Sequence, residues 1–131
     1  MTAQAFLDSV KDRHQDVERL LAAQAWLREQ ADAQQDTPTG RACRDAMLAR
    51  AADMEPAVRR AYREQELQTK RVQRVIARLP DKDERSVLIL RHITMMPPWK
   101  AAEAMHYSER HLYRIYRRAL MHLEALLNGW E

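Results

Sequence analysis

Glycine occurs only twice in this 131-residue chain, as Gly40 and Gly129. Tight β-hairpins draw on glycine for backbone at positive φ, so almost no material for hairpins is present. Alanine, arginine, leucine, glutamine and glutamate dominate instead, and these are good helix formers. An all-α protein is expected. Its punctuation is Asp36-Thr37-Pro38-Thr39-Gly40, then Pro56, Pro80 and Met95-Met96-Pro97-Pro98.

Between these breaks the apolar residues repeat at helical spacing. From Ala3 to about Gln35, Val10, Val17, Leu20, Leu27 and Ala31 form a heptad seam whose gaps are Arg13 and Gln24, with Trp26 placed to widen it. Thr37-Pro38 suits the cap and first position of a second helix. Pro56 would remove an amide and clash inside a helix at about 3 kcal/mol, so a short helix near 41–53 and a restart at Pro56 are expected. Val58, Tyr62, Gln65, Thr69, Val72, Ile76 and Leu79 then step by four and three, a seam with a polar middle. Two arrangements satisfy these seams, an antiparallel hairpin within one chain or a homodimer. Residues 1–79 are expected to form a helical dimerisation or interaction module of hairpin or coiled-coil type, and 80–131 a three-helix unit.

That C-terminal unit carries the functional signal. Asp81 reads as a helix cap, with Glu84 completing a capping-box-like pattern, and Val87, Leu88, Leu90, Arg91 and Ile93 follow as a short apolar helix. Pro98 suits the first position of the next. Trp99 to Met105 looks like the first helix of a helix-turn-helix, His106-Tyr107-Ser108 the turn, and Glu109 onward a recognition helix continuing to about Leu127. Ala102 is small enough for a tight crossing. Ala101, Met105, Tyr107, Leu112 and Ile115 point inward, and Trp99 reads as a core plug. Ser108 is a good N-cap. His106 stands where such turns usually place glycine, a position that needs positive φ.

Charge sharpens this picture. Residues 1–36 hold 4 Lys/Arg against 7 Asp/Glu, residues 37–79 hold 10 against 5, and residues 80–131 hold 8 against 7. Within 109–118, however, Arg110, Arg114, Arg117 and Arg118 face the single acid Glu109. A cation-rich helix on a rigid clamp is what entry into the DNA major groove requires. By position, Glu109, Arg110, His111, Tyr113 and Arg114 are expected to face base edges. Arg110 and Arg114 suit guanine, and Glu109 suits cytosine. Lys100, Ser108, Arg117 and Arg118 are expected nearer phosphates.

Other chemistry is poorly represented. The histidines His14, His92, His106, His111 and His122 do not fall at metal-ligand spacing, and no glycine-rich phosphate loop or nucleophile signature occurs. No enzyme activity, catalytic residue, metal, cofactor or small-molecule substrate is expected. No apolar run approaches the ~18 residues of a membrane span, and the start, MTAQAFLDSVKDRHQ, is not a secretory signal. The sole cysteine, Cys43, lies on an Ala-Met face and reads as a small core residue of a protein in a reducing cytosol.

Leu79 to Leu127 resembles region 4 of bacterial sigma factors, in Glu84-Arg85-x-Val87-Leu88-x-Leu90-Arg91, Trp99-x-Ala101-Ala102, Tyr107-Ser108, Leu112 and Arg118-Ala119-Leu120. The whole chain is similar to a group of phage and prophage transcriptional regulators of the ArpU-like kind. The resemblance implies sequence-specific double-stranded DNA binding in control of phage late genes, in the bacterial cytoplasm at the nucleoid, with host RNA polymerase as a further candidate partner. Two alternatives stay open: a small-terminase-like DNA-packaging protein, and a helical adaptor that binds RNA polymerase.

Overall fold

A computed structural model describes residues 1–129, and these are all-helical, with no strand among the described residues. The order is α1 (Ala3–Asp32), α2 (Pro38–Asp53), α3 (Glu55–Ile76), α4 (Lys82–Leu88) running on into a π-helical stretch (Ile89–Ile93), α5 (Pro98–Met105) and α6 (Glu109–Leu127). None of these helices is long and apolar enough to cross a membrane.

The chain forms two compact units, Arg13–Gln65 and Met1–Asp12 with Glu66–Glu131. This division differs from the expected one at 79/80, whose C-terminal part also takes in residues 130 and 131, outside the described residues. The physical reason is the first turns of α1. Phe6, Leu7 and Val10 are buried in one core with Ile76, Leu88, Leu112, Ile115 and Leu123. The start of α1 therefore belongs with the C-terminal helices. Its Ala3 amide donates to Glu124 Oε1 at 3.3 Å.

In the Arg13–Gln65 unit, Thr37 caps α2 by accepting from the Gly40 amide, and Pro38 takes the first helical position. Gly40 is required: a Cβ there would lie 1.9 Å from the Gln35 carbonyl oxygen. The break between α2 and α3 falls at Met54, within the expected joint, and Pro56 lies in the first turn of α3. The seam is more polar than the apolar pattern suggests. Gln24, a supposed gap, is buried and its side-chain amide donates to Ala51 O and Glu55 Oε2, each at 3.0 Å. It thereby satisfies backbone at the α2–α3 joint, where the helical ladder is interrupted. His14 meets Gln65 and, ten residues on, Gln24 meets Glu55, so the facing parts of α1 and α3 run antiparallel.

Three expectations are corrected here. Trp26 is 56% exposed and does not widen the seam. Tyr62 is half exposed, and Ala61 takes the inward position, because the stripe turns by one residue after Val58. Cys43 is only half-buried.

In the second unit, Asp81 caps α4 by accepting from the amides of Asp83 and Glu84. Glu84 does not complete a capping box. Its carboxylate is buried and paired with His122 Nδ1, pinning α4 to α6, since a buried carboxylate needs a partner. Arg85 Nη1 donates to the carbonyls of Leu79 and Pro80, closing the end of the preceding segment. The π-helical stretch widens the last turn of α4, and Arg91 Nη1 donates to Met96 O at 2.8 Å across the loop that follows. Met95 adopts φ 57° there, and Pro97-Pro98 leads into α5.

Candidate nucleic-acid interface

The turn between α5 and α6 is built from local rules. Pro98 opens α5 where its missing amide costs nothing. His106 ends α5 at φ 60°, ψ 37°, the left-handed conformation expected of this position. The His106 amide donates back to Glu103 O, and the Tyr107 amide to Ala102 O. Ser108 then caps α6, its hydroxyl accepting from the His111 amide at 3.1 Å.

Packing fixes how the two helices cross. Ala101 and Ala102 are buried against Leu112 and Ile115. Tyr107 is half-buried, its hydroxyl donates to Asp83 Oδ2 at 2.8 Å, and that bond raises the pKa of the phenol. The turn is thereby tied to α4. Tyr116 is similarly anchored, with His92 Nε2 at 2.8 Å and Gln4 accepting from its hydroxyl. Burial pushes the Tyr116 phenol up and the His92 imidazole down, the latter with help from the Arg91 charge.

The outward face of α6 is then determined. Glu109, Arg110, Tyr113, Arg114 and Arg117 line one shallow hollow. The Arg117 guanidinium stands over the Tyr113 ring, 5.3 Å from its centroid, a cation–π contact that pre-orders both side chains. Tyr113 is 53% exposed. Among the described residues, no carboxylate lies within 4 Å of Arg110, Arg114, Arg117, Arg118 or Lys100. Arg13, Arg19, Arg41, Arg59 and Lys70 have acidic neighbours, so what sets the α6 arginines apart is their grouping around Tyr113.

The expected site residues thus separate into groups. Glu109, Arg110, Tyr113 and Arg114 come together, and Arg117 joins them because it follows Tyr113 by four residues, one turn along the same face. His111 lies to one side, its ring edge-on to Tyr107 with centroids 4.5 Å apart. Arg118 lies toward α4. The Asp81 carboxyl is held below the usual range mainly by the Glu84 amide, then also by the Asp83 amide and by the charges of Arg118 and Arg85. Ser108 is committed to the cap, and Lys100 is exposed on α5. Trp99 is 57% exposed and is not a core plug. The inward positions of α5 are filled by Ala101 and Ala102, with Met105 half-buried.

A protein family described as a protein of unknown function, DUF1492, matches residues 40–124. The chain belongs to that family. The DUF1492 segment runs from the α1–α2 turn at Gly40 to Glu124 in α6, so it contains the whole α5–α6 turn and the arginine face, and leaves α1 outside. No curated protein and no solved structure matches the chain.

Proposed function

We propose that this chain is a sequence-specific double-stranded DNA-binding protein that regulates transcription, a binding protein and not an enzyme, with α5, the turn and α6 acting as a helix-turn-helix. The observation that carries this reading is the exposed face of α6. Arginines without acidic partners flank an exposed tyrosine on a helix whose angle is set by a capped, left-handed turn. A cluster of arginines around an exposed tyrosine, with no carboxylate among the described residues within ion-pair distance, suits a polyanionic partner.

In this reading the first turns of α6 enter the major groove. Arg110 and Arg114 donate to guanine O6 and N7, Glu109 accepts from cytosine, and Tyr113 makes apolar contact. Arg117, held over Tyr113, reaches the same groove. His111 serves at its margin. Lys100, Ser108 and Arg118 meet the phosphate backbone on either side. A phage or prophage origin, action on late genes, and host RNA polymerase as a partner are supported by the resemblance of Leu79–Leu127 to sigma region 4 and to ArpU-like regulators.

The test is a pair of substitutions. Arg114→Ala is expected to weaken specific binding by about 1–3 kcal/mol and to relax preference at one base pair. Arg118→Ala is expected to weaken all duplexes alike and to flatten the salt dependence by about one contact. Identical behaviour of the two variants would refute the assignment of base and backbone roles.

A further inference from the structure

The second half of α3 carries a charge pattern that the reading of α6 does not use. From Leu67 to Pro80 the chain contains Lys70, Arg71, Arg74 and Arg78 and no Asp or Glu. Lys70 is held by Glu66 at 2.9 Å. Arg71, Arg74 and Arg78 are exposed, and among the described residues no carboxylate lies within 4 Å of them. Their spacing of three and four puts Arg71 and Arg74 on one exposed face of α3, continued by Arg78 in the turn that follows. The opposite side of the same stretch is apolar and buried through Val72, Ile76 and Leu79. The cations therefore project from a fixed base.

A solvated helix surface ordinarily intersperses both signs, because unbalanced like charges repel. Three uncompensated guanidiniums in one row lower stability, and an anionic ligand offsets that cost. From Arg71 to Arg78 is about 10 Å at 1.5 Å per residue. Measured along the duplex axis, one strand advances about 3.4 Å per phosphate, so two to three phosphates fall within that axial span. The row also ends close to the proposed reader: Arg78 is followed by Asp81, the cap of α4, and α4 is pinned to α6 by the Glu84–His122 pair.

We propose that Arg71, Arg74 and Arg78 form a second, sequence-independent contact that grips the phosphate backbone of duplex DNA. This rests on the reading of the chain as a DNA-binding protein, and adds a backbone clamp outside the helix-turn-helix. The clamp supplies affinity and salt dependence, while α6 supplies sequence preference.

The experiment compares the full chain, Arg71→Gln/Arg74→Gln/Arg78→Gln, the matching triple change to lysine, and Arg114→Ala. Each is titrated with a specific duplex, a random-sequence duplex and a single-stranded RNA at several salt concentrations. The glutamine triple is expected to bind both duplexes about 10- to 100-fold more weakly near 0.15 M salt, with the log–log salt slope smaller by about 2–3. The lysine triple should keep its slope, which excludes loss of fold as the cause. An unchanged slope in the glutamine triple, alongside lost sequence preference in Arg114→Ala, would overturn the clamp and leave the α6 reading intact. The reverse pattern, with Arg114→Ala inert, would support the clamp and overturn base reading by α6. Loss of RNA binding only would assign the row to RNA and overturn the proposal.

Discussion

Replacing His106 by glycine should stabilise this protein. His106 occupies φ 60°, ψ 37° at the end of α5, where its amide and that of Tyr107 return to carbonyls of the same helix. An L-residue in that region costs about 1–2 kcal/mol through contact of its Cβ with the backbone, and glycine escapes the cost. Glycine gives back about 0.4–1 kcal/mol through the greater freedom of the unfolded chain. The balance is a gain of about 0.5–1 kcal/mol. The His106 side chain is exposed and makes no hydrogen bond or ion pair among the described residues, so nothing else is lost. Urea denaturation followed by circular dichroism measures the effect, since a change in midpoint at constant slope reports stability. His106→Val should move the other way, because a β-branched residue is a poor fit at positive φ. Equal stabilities for the glycine and valine variants, or a loss on changing to glycine, would refute the left-handed turn. DNA affinity at saturating folded protein should be unaffected by the glycine.

Three further outcomes follow from particular contacts. Gly40→Ala should destabilise the α1–α2 connection strongly in the same denaturation assay, because a Cβ 1.9 Å from the Gln35 carbonyl forces the backbone apart; native behaviour would refute that packing. Ser108→Ala should cost about 1 kcal/mol through loss of the α6 cap, and also weaken DNA binding by splaying the first turn of the reader. His92 is half-buried beside Tyr116, and its pKa is lowered first by that burial and then by the Arg91 charge, with Asp8 opposing. Its folded pKa lies below the unfolded value, so the unfolded chain takes up the proton first. Its contribution is therefore intact above about pH 6.5 and is lost as pH falls toward the lower folded value. His92→Gln should flatten that part of the stability–pH curve, and an unchanged curve would refute the assignment.

How much was legible in the sequence depended on the range of the interaction responsible. Caps and breaks are local, and Thr37, Pro56, Asp81, Pro98, His106 and Ser108 act as their residue types imply. Burial is decided by partners distant in the chain, and there the reading held for Ala101, Ala102, Leu112 and Ile115 but failed at other positions. Trp99 and Trp26 are apolar enough for a core, yet the facing elements leave them exposed. Phe6 and Leu7 lie outside the first seam, yet they enter the core shared with α6. Gln24 and Glu84 look like surface residues, but each has a specific buried partner that no periodicity reveals. The π-helical stretch and the Arg91–Met96 tie likewise have no marker in apolar spacing. At the candidate interface, the grouping of Glu109, Arg110, Tyr113 and Arg114 was readable from their helix positions, and the placement of Arg117 and His111 was not. Arg117 joins Arg110, Tyr113 and Arg114 through a ring contact, while His111 turns to Tyr107.

The central claim concerns base recognition by the arginine face of α6, and the most direct measurement is selection of bound sequences from random duplex DNA at near-physiological salt. The unsubstituted chain should enrich a defined motif containing guanine. The Arg110→Ala/Arg114→Ala double variant should lose that enrichment while keeping weak, salt-sensitive binding. Enrichment of no motif by the intact protein, or of the same motif by both proteins, would contradict the account.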